Sequence, residues 1–143
     1  MTKLENFYKL LEDAPEHPTR SSKCWLIGGN VIFVEARLST EIELEDAKED
    51  MQLTNQLMMG VSRYGTVIDM ANIKSISKEA RDWYSQVQND NPSNISVALV
   101  VNSFYTRIIA NFFLGFKNSR TTMKIFNEKD SAIDWLYEQL EIK

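Results

Sequence analysis

The stretch ISVALVVNSFYTRIIANFFLGF, residues 95–116, decides the fold. Its first seven residues are almost entirely apolar, without the alternation of a half-exposed strand, as expected for a strand covered on both faces. From Phe104 onward, apolar side chains recur at helical spacing. A buried strand that leads directly into a helix is the building unit of a parallel sheet with helical crossovers.

The same alternation of strand and helix continues on both sides of this stretch. The other predicted elements are, in chain order, strands KCWLI (23–27) and VIFVEA (31–36), helix EIELEDAKEDMQLTNQLMM (41–59), strand GTVIDM (65–70), helix SKEARDWYSQVQ (77–88), strand TMKIF (122–126) and helix DSAIDWLYEQL (130–140). The first two strands flank Gly-Gly-Asn, a tight-turn sequence, and therefore form a hairpin. The order β-β-α-β-α-β-α-β-α predicts a single α/β domain: a mostly parallel sheet with one antiparallel hairpin strand and about four covering helices.

The first 20 residues allow two interpretations. Four apolar residues at helical spacing predict a short amphipathic helix, which the prolines of APEHP would end: Leu4, Phe7, Tyr8 and Leu11. The alternative is a loosely docked arm. The predicted organisation is thus an N-terminal helix or arm over residues 1–20 and an α/β domain over residues 21–143.

Composition excludes several classes of protein. The 143 residues are 43% hydrophobic and 25% charged, which are globular values, and the net charge of −4 argues against binding to nucleic acid. The single cysteine, Cys24, has no partner for an internal disulfide, and no apolar run is long enough to span a membrane. We expect a cytoplasmic protein of a reducing compartment.

No catalytic or cofactor site is predicted. His17 is the only histidine and Cys24 the only cysteine, so no His/Cys zinc site can be assembled. A catalytic triad or Cys-His pair would have to use His17, which could reach Cys24 or Ser77 only by folding back; its proline-flanked position favours an exposed loop histidine. Glycine-rich phosphate-binding loops are absent from the sequence. The acidic run EIELEDAKED, residues 41–50, spreads its carboxylates around a helix and is interpreted as a solvated face. We therefore expect no bound metal, no cofactor and no enzymatic activity.

The segment from Asp69 to Ser77 is a candidate working surface, because ligands and partners of parallel α/β sheets meet the carboxyl ends of strands. Ser77 is placed to cap the following helix, with Glu79 adding favourable charge in its first turn. The alternative is that Ser77 or Ser75 is a phospho-acceptor, where a phosphate would meet the same free amides.

The predicted helix 104–116 has a wider apolar surface than packing on one sheet face requires. Its candidate interface or groove residues are Phe104, Ile108, Phe112, Phe113 and Phe116. The surplus apolar surface has three explanations: a hydrophobic ligand, a homodimer interface, or contact with the N-terminal arm.

Four segments resemble a family of small bacterial STAS-like proteins, related in fold to anti-sigma-factor antagonists and to the STAS domains of sulfate transporters. They are VIFVEARLSTEIELEDAKE (31–49), VIDMANIKSISKEARDW (67–83), VALVVNSFYTRIIANFFLGF (97–116) and KIFNEKDSAIDWL (124–136). The resemblance implies a four-helix, mostly parallel-sheet domain and a non-enzymatic regulator that binds proteins. More distant relatives bind hydrophobic or anionic ligands.

Anti-sigma-factor antagonists switch by phosphorylation of a serine at the start of the helix after a central strand. Ser77 is the nearest counterpart here, with Ser75 behind it, although Met70, Ala71 and Asn72 replace the compact serine-glycine turn of those proteins. The resemblance thus implies a partner-binding loop made of Asp69, Asn72, Lys74, Ser75, Ser77, Arg81, Asn102 and Ser103. The resulting expectation is a protein-interaction module, and the alternative is a carrier or sensor for a hydrophobic small molecule.

Overall fold

The computed structural model describes residues 1–87, 92–115 and 121–142. The main sheet has six strands in the order β1-β2-β3-β5-β7-β8, and β4 and β6 form a second, two-stranded sheet. The strands are β1 (His17–Pro18), β2 (Ser22–Ile27), β3 (Val31–Ala36), β4 (Thr40–Ile42), β5 (Tyr64–Asp69), β6 (Ile73–Ile76), β7 (Asn94–Val100) and β8 (Thr122–Phe126). The helices are α1 (Lys3–Asp13), α2 (Leu44–Leu57), α3 (Lys78–Val87), α4 (Phe104–Leu114) and α5 (Lys129–Gln139).

The hairpin of β2 and β3 supplies the antiparallel part of the sheet. Its turn needs positive backbone angles, and Gly28 and Gly29 supply them with φ of 63° and 88°. The strands then pair with Trp25 opposite Phe33, and the two rings stack with centroids 5.4 Å apart. From β3 onward, β5, β7 and β8 add in parallel, each after a helical crossover.

One face of the sheet is covered by α1 and α5. Phe7 of α1 is fully buried, with its ring 5.8 Å from that of Phe33 and 6.3 Å from that of Tyr137. Gly65 lets α5 approach β5 closely, since a Cβ built there would lie 2.7 Å from a methyl group of Leu136. This face is a packed core.

The other face is covered by α2, α3 and α4. Ala47 of α2, Ala80 of α3 and Ile109 of α4 belong to one buried cluster with Val97 and Leu99 of β7. Met58, which caps the carboxyl end of α2, packs with Cys24 and Ile32 in a separate cluster. The packing of this face is incomplete, because a cavity lies between the strands and the three helices.

The expected α/β architecture is confirmed, including the parallel strands and the antiparallel hairpin. Residues 3–13 form a helix that packs on the α5 face, so they do not cover α4, which lies on the opposite face. Two local predictions are wrong. Residues 40–42 and 73–76 pair as strands β4 and β6, so the helix predicted from 41 begins at Leu44 and the segment 69–77 is only partly a loop.

Replacing Phe7 by alanine should lower the free energy of unfolding by about 3 to 5 kcal/mol, because it leaves a cavity in the core beneath α1. The matched control is Leu10→Ala on the same helix, where the side chain is 37% exposed and the loss should stay below about 1 kcal/mol. Chemical denaturation measures both. Equal small losses would mean that α1 is not part of the cooperatively folded unit.

Candidate functional site

A cavity of about 240 Å³ lies between the main sheet and helices α2, α3 and α4. A smaller apolar cavity of roughly 150 Å³ is known to admit benzene. By proportion, the cavity of this protein has room for a molecule of about ten non-hydrogen atoms. Native cores rarely leave voids larger than a water molecule. The cavity is therefore a departure from close packing, and it is partly open to solvent.

Aliphatic side chains of the sheet form the floor of the cavity. Val34 of β3, Ile68 of β5 and Leu99 of β7 point to the same face, because side chains of a strand alternate between faces. Ile68 lies on a central strand and yet is only partly buried. Its remaining accessible surface is explained by the cavity above it.

The helices contribute the walls. Met51 of α2, Tyr84 and Val87 of α3 and Phe113 of α4 line the cavity. The rings of Tyr84 and Phe113 meet edge to face with centroids 5.1 Å apart. Three different helices thus place large side chains around the void, and none of them fills it.

Polar contacts hold the first half of α2 to the sheet. Arg20, in the loop between β1 and β2, forms a two-pronged ion pair with Asp46 and also donates to the carbonyl oxygen of Glu41 at 2.7 Å. Asp46 is only 4% exposed. The Arg20 hydrogen bonds hold the pKa of Asp46 below its usual range. In this part of α2, charged and polar groups take the place of apolar packing.

Asp50, one turn later on α2, lies on the cavity wall. Its Oδ1 accepts from the hydroxyl of Thr19 at 2.6 Å, and its Oδ2 accepts from Ser21 at 2.8 Å and from Ser22 at 3.4 Å. Burial raises the pKa of the Asp50 carboxyl, and the three hydroxyl donors partly oppose that rise. The described residues contain no group of three side chains placed to hold a metal ion.

Two neighbouring groups respond to the charge of Asp50. Burial, followed by the charges of Asp50 and Asp46, raises the pKa of the Tyr84 phenol well above its ordinary value. Burial and the charge of Asp50 likewise raise the pKa of the Cys24 thiol to about 12. Both groups therefore stay protonated near neutral pH, and Cys24 is not a reactive thiolate.

A second group of polar side chains lies at the amino ends of the parallel strands. The Thr66 hydroxyl donates to the Asn94 side-chain oxygen at 3.2 Å, and the Thr121 hydroxyl donates to the Asn94 carbonyl at 2.9 Å. All three residues line the cavity. These hydroxyl and carbonyl groups already bond to one another, so the hydrogen bonds at this end of the cavity do not require a ligand.

The first residues of the predicted partner-binding loop have partners within the protein. Asp69 turns toward α5, where Lys129 lies 3.8 Å away, and its Oδ1 accepts from the amide of Ala71 at 3.1 Å. The side-chain amide of Asn72 donates to the Ala36 carbonyl at 3.4 Å. Asp69 therefore faces away from α3 and does not join the serines that follow it.

Ser75 lies inside β6, opposite Glu41 of β4, and Lys74 beside it is 3.5 Å from the Glu41 carboxylate. Ser77 caps α3 as expected, since its hydroxyl accepts from the amide of Ala80 at 3.1 Å. Both serines are partly buried. Phosphorylation at either position stays a prediction.

The remaining predicted loop residues surround the starts of α3 and α4. Arg81 donates to the Ile76 carbonyl at 3.0 Å, and its guanidinium lies 5.9 Å from the centre of the Phe112 ring. Ser103 caps α4 in a reciprocal arrangement with Thr106, whose hydroxyl also accepts from the amide of Asn102. The structure thus brings Arg81 together with Phe112.

The aromatic helix divides its predicted interface residues between two roles. Phe104 is 81% exposed and Ile108 is 51% exposed, whereas Phe113 lines the cavity. Phe112 is partly buried beside Arg81, and Phe116 lies outside the described residues. The wide apolar surface of this helix therefore serves both the protein interior and a solvent-exposed patch.

The sequence interpretation missed Asp46 and Asp50. Their run of acidic residues was expected to be a solvated face, but Asp46 is buried and Asp50 is held by hydroxyls. One signal was present in the sequence: at spacing i, i+4, both acids share the helical side of Met51 and Ala47. Their partners, in the segment Thr-Arg-Ser-Ser at 19–22, lie too far along the chain to be inferred from spacing.

Replacing Arg20 by alanine should raise the pKa of Asp46, because the buried carboxylate loses its ion pair. In the wild type the folded-state pKa is below the unfolded one. The Asp46 contribution to stability is therefore present above about pH 4 and is lost as the pH falls through the lower folded-state pKa. NMR titration of the Asp46 carboxyl and unfolding at several pH values measure this.

The control is Arg63→Ala, which removes only a hydrogen bond to the Gln139 carbonyl and should leave the titration of Asp46 unchanged. An unchanged titration in Arg20→Ala would contradict the conclusion that Arg20 lowers the pKa of Asp46.

The described helices offer no stretch with the length and apolarity that crossing a membrane requires. Comparison with functionally curated proteins gives no match. Among solved structures, a similar one is an uncharacterized protein of the DUF3478 family from Shewanella loihica PV-4, described as having a SpoIIAA-like fold. The two share 16% sequence identity with a TM-score of 0.58, over 86% of this chain and 91% of the other.

This similarity confirms the STAS-like resemblance at the level of the fold. A sequence model of a domain of unknown function, DUF7793, matches residues 24–140, which include most of the hairpin, all of α2 and the strands that form the floor of the cavity. The chain belongs to the DUF7793 family.

Proposed function

We propose that this protein binds a small, mostly apolar molecule in the cavity between the sheet and helices α2, α3 and α4, and that it does so without chemical turnover. The observation that carries the proposal is the cavity itself, a void of about 240 Å³ floored by aliphatic side chains. An apolar void of this size costs stability when empty, and a fitting ligand recovers the lost contacts.

The dimensions limit the ligand. About ten non-hydrogen atoms fit a space of this size, by proportion to the benzene-sized cavity. A ligand with that number of atoms is expected to bind with a Kd between about 1 μM and about 1 mM. The proposed role is therefore that of a carrier or sensor of a small molecule, and not storage of a long lipid chain.

Straight-chain alcohols of increasing length should raise the thermal midpoint, with the largest effect at about ten non-hydrogen atoms. At ten times its Kd, a ligand adds about 1.4 kcal/mol to the free energy of unfolding. Ile68→Phe, which places a larger side chain in the cavity floor, should weaken binding at least about tenfold.

The control is Ile95→Phe, the same substitution on the opposite face of the sheet, where Ile95 packs against the core beneath α5. It should leave ligand binding intact. A protein that none of these compounds stabilises, or one in which both variants bind equally well, would contradict the proposal.

A second candidate function, the protein-interaction module expected from the sequence, is favoured by one observation. Phe104 and Ile108, one turn apart on α4, expose 81% and 51% of their surfaces. Exposed apolar side chains at i, i+4 are typical of a contact made by a helix face. We propose that a partner protein with its own apolar patch binds here, in the manner of a cytoplasmic regulator similar to anti-sigma-factor antagonists.

The double substitution Phe104→Ser and Ile108→Ser should abolish retention of such a partner from a lysate of the native source, while changing stability by less than about 0.5 kcal/mol per site. Leu38→Ser is the control, because Leu38 is 82% exposed in the connection between β3 and β4.

A Ser77→Asp variant, tested in the same retention experiment, reports on the hypothesis that Ser77 is phosphorylated. Retention of the same proteins by all forms would exclude this surface, and sedimentation would show whether the patch joins two copies instead.

A further inference from the structure

Asp50 has an unused acceptor position on the cavity wall. An ionised carboxylate offers about four acceptor positions. Ser21 and Ser22 donate to Oδ2, whereas among the described residues only Thr19 donates to Oδ1. Within the same part of the chain, no lysine or arginine forms an ion pair with Asp50. The carboxylate can therefore accept one further hydrogen bond, and its charge is balanced only by hydroxyl dipoles.

Tyr84 adds a second polar group to the same cavity. Its ring lines the cavity, and no hydrogen bond to its hydroxyl is found among residues 1–87, 92–115 and 121–142. The charge of Asp50 is close enough to contribute to the raised pKa of the phenol. An acceptor, Asp50, and a donor, Tyr84, thus border a space that is otherwise lined mainly by aliphatic and aromatic side chains.

We infer that the ligand of this cavity carries a small head group that donates a hydrogen bond to Asp50, namely a hydroxyl or a primary ammonium, and that fatty acids are excluded. This inference rests on the proposed function, since it names the class of molecule that the cavity takes. The aliphatic part of the ligand lies on Val34, Ile68 and Leu99, and the head group lies beside Asp50.

The physical reason for this selectivity is the negative charge of Asp50 on the cavity wall. A hydroxyl or ammonium completes the coordination of the Asp50 carboxylate, and a hydrogen bond to a charged group stabilises more than one between neutral groups. A fatty-acid carboxylate would bring a second negative charge beside the partly buried carboxylate of Asp50, and the two like charges would repel each other. An ether of the same size has no proton to donate and leaves the acceptor unsatisfied.

Four compounds of matched size separate these alternatives: nonanol, nonylamine, methyl octyl ether and octanoate, each with about ten non-hydrogen atoms. Isothermal titration with the 143-residue protein should give Kd values for nonanol and nonylamine at least about tenfold lower than those for the ether and for octanoate. Asp50→Asn should remove most of this preference. Asp82→Asn is the matched control, because Asp82 is an exposed partner of Lys78 on the outer side of α3, and it should keep the preference.

The outcomes distinguish the two levels of the proposal. Binding of octanoate or of the ether as tightly as nonanol would overturn the head-group assignment and leave the apolar cavity as the binding site. Failure of all four compounds to bind would overturn the proposed function and this inference with it. If Asp50→Asn does not fold, the ranking of the four compounds by the wild-type protein still decides the head-group assignment.

Discussion

The hydrogen bonds that Asp50 accepts from Thr19, Ser21 and Ser22 are the constraint on which this face of the molecule depends. Together with the ion pair between Arg20 and Asp46, they fix the first half of α2 to the loop between β1 and β2. Hydrogen bonds have defined lengths and directions, whereas apolar contacts adapt to the space available. A helix anchored by polar groups therefore does not settle onto the sheet to close a void beneath it.

The two faces of the sheet illustrate two ways of covering strands. On the α1 and α5 face, Phe7 interlocks with the rings around it, and Gly65 allows α5 to lie directly on β5. On the other face, apolar packing is concentrated around Ala80 and Ile109 and around Met58. Between these clusters the cavity remains. The two faces therefore differ in how completely the helices fill the space above the strands.

Local patterns in the sequence were sufficient for the architecture. The unalternating strand at 95–101 and the hairpin around Gly28 and Gly29 predicted the parallel sheet and its antiparallel neighbour, because burial and turn geometry depend on adjacent residues. The short strands β4 and β6 were missed, since three or four residues give too little periodicity to recognise. Ser77 was correctly expected to cap α3, because a cap is defined within four residues.

The candidate site was harder to predict, because its parts are distant in the chain. Asp50 belongs to an acidic run whose composition indicates a solvated face, and only its contact with residues 19–22 makes it a buried acceptor. The width of the apolar surface on the aromatic helix was visible in the sequence, but the sequence did not show that Phe113 lines a cavity while Phe104 faces solvent. The cavity depends on how residues distant in the chain pack together, so no local sequence pattern predicts it.

The first measurement we would make is a crystal structure of the protein under xenon pressure, because xenon enters apolar spaces that side chains leave unfilled. We expect xenon beside Ile68 and Leu99, at the apolar floor between the sheet and α2, and a lower xenon occupancy in Ile68→Phe. Side chains of Met51 and Phe113 closed onto the strands, with no xenon there, would contradict this expectation.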